Sequence, residues 1–291
     1  MLGRPNDNGL AQIDRSEIDT FDRTHWQFSK KHINILMLAI VYKHVAIPIF
    51  WKLLDNGKGN SKKDDRIELI ELFKATFPDI TIVKLLADRE FVGKDWFKWL
   101  NKNELTFCIP IRKNNVVRRK GRKDTVPVER LFGEVKCKGD VKHLSKAVEV
   151  CGQKLFLSAV RYEDGSLTIL ASNQFKGVDL LNEYKLRWQI ETLFSCFKSR
   201  GLDIEASHLT LPERMSKLVA VLSLAFAWAY VSGEWLNKQK PIEMKFKGKE
   251  KACLAFSFFR VGLSHLAKAC MKILSSFQFA FEPMAFIHLL R

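Results

Sequence analysis

Residues 183–210 read EYKLRWQIETLFSCFKSRGLDIEASHLT, and the rest of the chain is organised around them. On an α-helix each residue advances about 100°. Tyr184, Glu191 and Lys198 recur every seven residues, so they fall within about 20° of one line. Arg187 sits about 40° to one side of Glu191. Leu186, Ile190, Leu193, Phe194 and Phe197 form an apolar stripe centred about 120° away. One face of this helix is therefore buried. Its neighbouring edge carries a phenol, a guanidinium, a carboxylate and an ammonium in a row. A solvated charged face accounts for any two of these residues but gives no reason for all four.

Such a row has a chemical use. A carboxylate at the edge of a buried face can hold a divalent cation against the core, and flanking Tyr, Arg and Lys can grip phosphates. The spacing Tyr184-x2-Arg187-x3-Glu191-x6-Lys198, followed by SRGLDIEASHLT, resembles the signature of DDE transposases of the insertion-sequence-4 family. The resemblance implies a DNA-cleaving and strand-joining enzyme on a ribonuclease H-like fold, moving an insertion sequence by cut and paste. It also implies three acids that hold Mg²⁺, with Mn²⁺ as a possible substitute. DRTHW at 22–26 and LLADREF at 85–91 are similar to that family's first and second acidic motifs. These similarities point to Asp22, Asp88 and Glu191 as catalytic and metal-holding residues. Asp14 and Asp19 compete with Asp22 on position alone. A helix N-cap is the plain alternative for Asp88, and a turn for Asp22. Asp64 and Asp65 read as loop or cap residues.

Composition agrees with a polyanionic partner. The 291 residues are 47% hydrophobic, enough for a core, and carry a net charge of +16. Residues 112–146 hold twelve Lys/Arg against four Asp/Glu, a balance of +8 and half of the total. Arg118, Arg119, Lys120, Arg122 and Lys123 are the densest part of that patch. Together with Tyr184, Arg187 and Lys198 they are the expected double-stranded DNA contacts. The six cysteines show no zinc spacing and read as free thiols of a reducing cytoplasm. The expected location is the bacterial cytoplasm, at the nucleoid. The uncharged run in 217–235 is shorter than the ~20 apolar residues of a membrane span, so no membrane partner is expected and a buried core helix is.

Taken in order, residues 1–16 form a polar arm. Residues 17–22 have β character ending near Asp22. Residues 33–42 and 45–54 are apolar, β-branched runs, joined by Lys43 and His44 as a buried hairpin. A helix over 65–77, a strand over 81–88, a helix over 93–102 and a strand over 105–112 follow. This order predicts an α/β, ribonuclease H-like mixed sheet flanked by helices. A β-rich basic insertion, with two strands around a turn at 163–166, precedes the last catalytic helix. The expected divisions are an arm at 1–16, a first core part at 17–111, an insertion at 112–179 and a second core part at 180–291. A helix starting at Pro212 and a basic connector at 238–251 complete the chain. Only 21 residues precede Asp22, whereas the resemblance implies a long N-terminal region for recognising element ends. The expectation is a truncated chain or a catalytic fragment. The alternative reading of function is a non-catalytic DNA-binding relic of such an enzyme. By analogy, a homodimer on DNA is expected.

Overall fold

A computed structural model describes residues 18–28, 31–43, 45–55, 59–118, 124–174, 179–247 and 251–280. The chain divides into two compact units, 1–194 and 195–291.

The first unit is built on a mixed sheet. Strand β2 (Lys31–Tyr42) runs antiparallel to both of its neighbours, β1 (Ile18–Phe28) and β3 (Val45–Leu53). β4 (Lys84–Ala87) lies parallel to β1, and β5 (Phe107–Ile111) parallel to β4. The order β3-β2-β1-β4-β5 with only β2 reversed is the ribonuclease H-like arrangement. β2 is buried throughout Ile33, Asn34 and the run from Ile35 to Ala39, as its unbroken apolar sequence requires of a strand covered on both faces. The crossovers carry α1 (Lys63–Thr76) and α2 (Lys94–Lys102). Asp65 accepts the Lys62 amide at 3.0 Å and so helps cap α1.

β1 departs from expectation, because it does not stop near Asp22. It continues to Phe28 and pairs along its whole length with β2, from Ile18↔Val41 to Phe28↔Lys31. Local sequence after Asp22 is polar and aromatic, and β2 supplies the missing hydrogen bonds from across the sheet. Asp22 therefore lies mid-strand.

Residues 112–174 extend the same sheet. β11 (Leu167–Ser172) pairs with β5, and β10 (Gln153–Arg161) pairs with β11 around the expected turn. The short strands β6 (Val116–Arg118), β7 (Thr125–Pro127), β8 (Val141–His143) and β9 (Val148–Val150) continue from β10. Val117, Phe132, Val150 and Leu157 join the core cluster of Phe21, Phe73, Trp96 and Phe107.

Strand alternation separates the two faces. Phe21, Leu85 and Ala87 pack with Leu69 and Phe73 of α1 and with Trp96 of α2. Leu86, Cys108 and Leu170 point the other way, onto Leu180 and Tyr184 of α3 (Asp179–Lys185). The buried Lys84 pairs with Glu183 and ties α3 to the start of β4.

The helix carrying the four-residue row is not continuous. α3 ends at Lys185, Leu186 and Arg187 form a turn, and α4 spans Trp188–Lys198. The amides of Leu186, Arg187, Gln189 and Ile190 each donate three residues back, to Glu183, Tyr184, Leu186 and Arg187. Such turns advance more per residue than an α-helix does, which shifts Tyr184 in phase against Glu191. Ile190, Leu193, Phe194 and Phe197 are buried as expected, and Leu186 is half-buried.

In the second unit α5 (Pro212–Gln239) begins on Pro212 at its first turn and packs against α6 (Phe258–Ala280). The expected basic connector contains β12 (Met244–Lys247), which pairs antiparallel with β13 (Lys251–Leu254) at its end. Met215, Val219, Leu222, Phe226, Ala229 and Gly233 form the buried seam of α5. Val221, Leu224, Trp228, Val231 and Trp235 are each more than half exposed, so α5 is not the wholly buried helix expected. Its apolar residues run all round, and packing covers one side only. By length and composition α5 could cross a membrane; a core helix of a soluble protein can pass the same test.

Two glycines set the α5–α6 approach. A Cβ at Gly262 would lie 1.7 Å from the Ala229 carbonyl oxygen, and one at Gly233 would lie 1.9 Å from that of Phe258. Gly262→Ala is expected to destabilise the second unit by about 3 kcal/mol, since backbone cannot yield as a side chain tip can. Thermal melting and limited proteolysis read this directly. A wild-type melt and cleavage pattern would mean that the helices separate without cost.

Candidate active site

Asp22 and Asp88 come together because their strands are neighbours. In the parallel pair β1–β4, Phe21 stands opposite Ala87. Asp22 and Asp88 are the next residues on each chain. Alternation turns both towards the face of Thr20 and Leu86, which α3 covers. Asp88 sits at the N-cap position of a short 3-10 turn, Arg89–Phe91, but makes no side-chain cap bond. The capping alternative therefore does not use its carboxylate.

Arg187 joins the third acid to them. Its Nη1 donates to Asp22 Oδ2 at 2.9 Å, and its Nη2 donates to Glu191 Oε1 at 2.5 Å. One guanidinium thus spans two carboxylates contributed by β1 and α4. Arg187 and Asp22 are both buried. Tyr184 stacks beside them, with its ring centroid 5.7 Å from the guanidinium carbon.

The electrostatics follow from burial. Loss of solvent raises the Asp22 carboxyl from 3.8 to about 7. Arg187 and the Arg23 amide, which donates to Oδ1 at 2.7 Å, pull it back, while Asp88 and Glu90 add repulsion. Burial alone would lower Arg187, but the charges of Asp22 and Glu191 and the hydrogen bond to Glu191 oppose it, and the guanidinium is held above its usual range. Burial raises the Tyr184 phenol, so it is a neutral donor at physiological pH.

A second layer lies behind Asp22, on residues that the sequence motifs do not single out. Arg23 Nε donates to Glu90 Oε2 at 2.9 Å, and its Nη1 donates to Asn34 Oδ1 at 3.0 Å. Arg66 donates to Ser61 and to the Glu90 carbonyl, and stacks 4.5 Å from the Phe91 centroid. Burial lowers Arg66 to about 10. Arg23 and Glu90 stand inside the two quoted acidic motifs, and their opposite charges next to Asp22 and Asp88 were the available signal.

The remaining expected contacts are scattered. Lys198 ends α4 and belongs to the second unit, where burial lowers its ammonium and Glu205 partly restores it. Arg118 is exposed at the end of β6 and lies 3.7 Å from Glu149. Arg119, Lys120, Arg122 and Lys123 lie outside the described residues.

Asp22, Asp88 and Glu191 offer hard oxygen donors, the type that suits Mg²⁺ or Mn²⁺. Two buried polar atoms beside them, Thr20 Oγ1 and Arg187 Nε, have no partner, which is consistent with a polar site awaiting a ligand. Among the described residues no three His, Cys, Asp or Glu side chains stand close enough to hold a metal ion. Arg187 occupies Asp22 and Glu191 instead. The donor type fits a divalent cation, and the carboxylates are not drawn around one.

The sequence pattern described as the transposase DDE domain matches residues 9–228. No curated protein sequence matches the chain. Among solved structures, the chain is similar to a piggyBac transposase in a synaptic complex with hairpin DNA, at 14% identity and a TM-score of 0.45, over 91% of this chain and 54% of that one. It is also similar to the catalytic domain of human endonuclease V, at 12% identity and a TM-score of 0.35, over 66% and 88% of the two chains. The chain spans about half the length of the piggyBac protein.

Between the unfolded and folded values of Asp22, the folded protein retains a proton that the unfolded chain has released. This contribution to stability is full below about pH 4 and is lost as pH rises through about 7. Asp22→Asn should therefore flatten the fall in melting temperature over that window in cation-free protein. An unaltered slope would exclude Asp22 as its source.

Proposed function

We propose that this chain, which belongs to the transposase DDE-domain family, cleaves DNA at the ends of an insertion sequence and joins the freed 3′ end to target DNA by cut and paste. The observation that carries the reading is the Arg187 bridge. It brings together Asp22 and Glu191, two acids on separate elements, beside the strand that leads into Asp88.

Asp22, Asp88 and Glu191 would hold divalent cations, Mg²⁺ or Mn²⁺. Such ions, when bound, polarise the phosphoryl oxygens and make an attacking hydroxyl more acidic. The protein's own groups would do the rest. Tyr184 donates a neutral O–H to a phosphate oxygen, and Arg187 and Lys198 supply positive charge along the backbone. The Arg23–Glu90–Arg66 layer keeps the two acidic strand positions in fixed orientation, which reduces reorganisation during the reaction. The basic segment from Arg118 to Lys123 would contact double-stranded DNA outside the site, carried by the β-rich insertion of residues 112–179. A homodimer on DNA, pairing two element ends, and a bacterial cytoplasmic location at the nucleoid belong to the same proposal. The relic alternative shares the DNA-binding surface and lacks the chemistry.

Glu191→Ala separates these readings. Mg²⁺-dependent nicking of end-containing DNA should fall at least about a hundredfold while DNA binding persists. Cleavage at the wild-type rate would remove Glu191 from the mechanism, and a wild-type protein unable to nick under any divalent ion would favour the relic. Replacing Arg118, Arg119, Lys120, Arg122 and Lys123 by Gln should flatten the salt dependence of binding, by about 0.9 in the log–log slope for each phosphate that is no longer neutralised. A binding slope that stays at the wild-type value would place the DNA path elsewhere.

A further inference from the structure

We propose that Arg187 is a positioning residue that holds Asp22 and Glu191 together as an internal counter-cation, and that an incoming divalent ion displaces it from them. Loading the ion would then release the guanidinium towards a DNA phosphate. The proposal rests on the metal-dependent reading above and deepens it.

Three observations carry it. First, the guanidinium and a divalent ion would use the same oxygens. Nη1 and Nη2 occupy Asp22 Oδ2 and Glu191 Oε1 at 2.9 and 2.5 Å. Two positive charges cannot share those ligands in a poorly hydrated pocket without strong repulsion. Second, the present arrangement does not satisfy Arg187. Its Nε is buried with no acceptor, although a guanidinium has five donors and pairs best through a parallel fork. A phosphate presents that fork, whereas two separate carboxylates take one nitrogen each. Third, Arg187 stands in the turn between α3 and α4, where its amide donates to the Tyr184 carbonyl at 3.1 Å. Its place is therefore at a junction of helices rather than inside one.

The same interactions explain why the site is stable before an ion arrives. Asp22 and Glu191 would repel each other if brought together alone, and Asp22 already feels Asp88 and Glu90. The guanidinium cancels part of that repulsion and keeps the β1 and α4 acids in one place. An ion then exchanges with a charge already present and does not have to assemble the ligands from separate elements.

The test uses the full chain with Mn²⁺ alone, titrated by electron paramagnetic resonance of the free ion, on wild type, Arg187→Gln, Arg187→Lys and Glu191→Gln. Arg187→Gln is expected to bind Mn²⁺ at least tenfold more tightly than wild type. It should also melt lower without the ion and gain more melting temperature on adding it. Arg187→Lys cannot span both carboxylates and should bind severalfold more tightly than wild type; it serves if the Gln variant does not fold. On a short DNA duplex, wild type should bind more tightly than Arg187→Gln with Mn²⁺ present, and equally without it. Unchanged or weaker Mn²⁺ binding in the Arg187 variants, with binding lost in Glu191→Gln, would overturn the exchange and leave the metal site standing. Wild type, Arg187→Gln and Arg187→Lys all failing to bind Mn²⁺ would overturn the metal reading, and the exchange with it. A DNA difference that is the same with and without Mn²⁺ would overturn the release step.

Discussion

The ion pair between Arg187 and Asp22 is the contact on which the candidate site depends. Both groups are buried, so neither can fall back on water, and removing one partner of such a pair costs about 3–5 kcal/mol. The pair fixes more than two side chains. It pins the junction of α3 and α4 against the middle of β1, and through Nη2 it sets where the Glu191 carboxylate begins its helix. A second buried pair, Lys84 with Glu183, ties α3 to the start of β4. Two charge pairs thus bracket one helix, and the apolar packing of Tyr184 and Leu180 on Leu86, Cys108 and Leu170 fills the space between them.

The sheet supplies the other half of the geometry. Parallel neighbours keep residues at equal height on the same face, so placing β1 beside β4 sets Asp22 and Asp88 side by side whatever their distance along the chain. The opposite face is closed by aromatic packing, with the Phe21 and Phe91 ring centroids 5.2 Å apart and Arg66 stacked on Phe91. Arg23 points towards Glu90 and Asn34 for the same reason that Asp22 points away from them: consecutive strand residues alternate. The carboxylate with the raised proton affinity and its supporting ion pair are therefore produced by a single dipeptide on one strand.

Much of this was legible in the residues. The apolar runs of β2 and β3, the helix pattern of α1, the Trp-bearing α2 and the hairpin of β10 and β11 each carry their own periodicity, because the burial that shapes them is local to the element. The family is likewise legible, through the offsets among Tyr184, Arg187, Glu191 and Lys198. The misreadings have a common cause. β1 runs past Asp22 because β2 hydrogen-bonds to it, and no apolar signal in 22–28 announces that. The helix through the signature breaks at Leu186–Arg187, where Arg187 pairs with Asp22 of β1. α5 looked buried because it is apolar on every side, but a helix is buried only where something packs on it.

The sequence by itself therefore determined the types of element, their order and the family, since each is written in short-range pattern and spacing, and it nominated three acids as candidates for the chemistry. Only the tertiary structure decided what those acids touch. Spacing along a chain is silent on which strand lies beside which, and on which cation a buried carboxylate takes in the absence of solvent. Asp22 and Glu191 meet on the guanidinium of Arg187, and Glu90 enters the site through Arg23, because burial obliges every charge to find a partner in three dimensions.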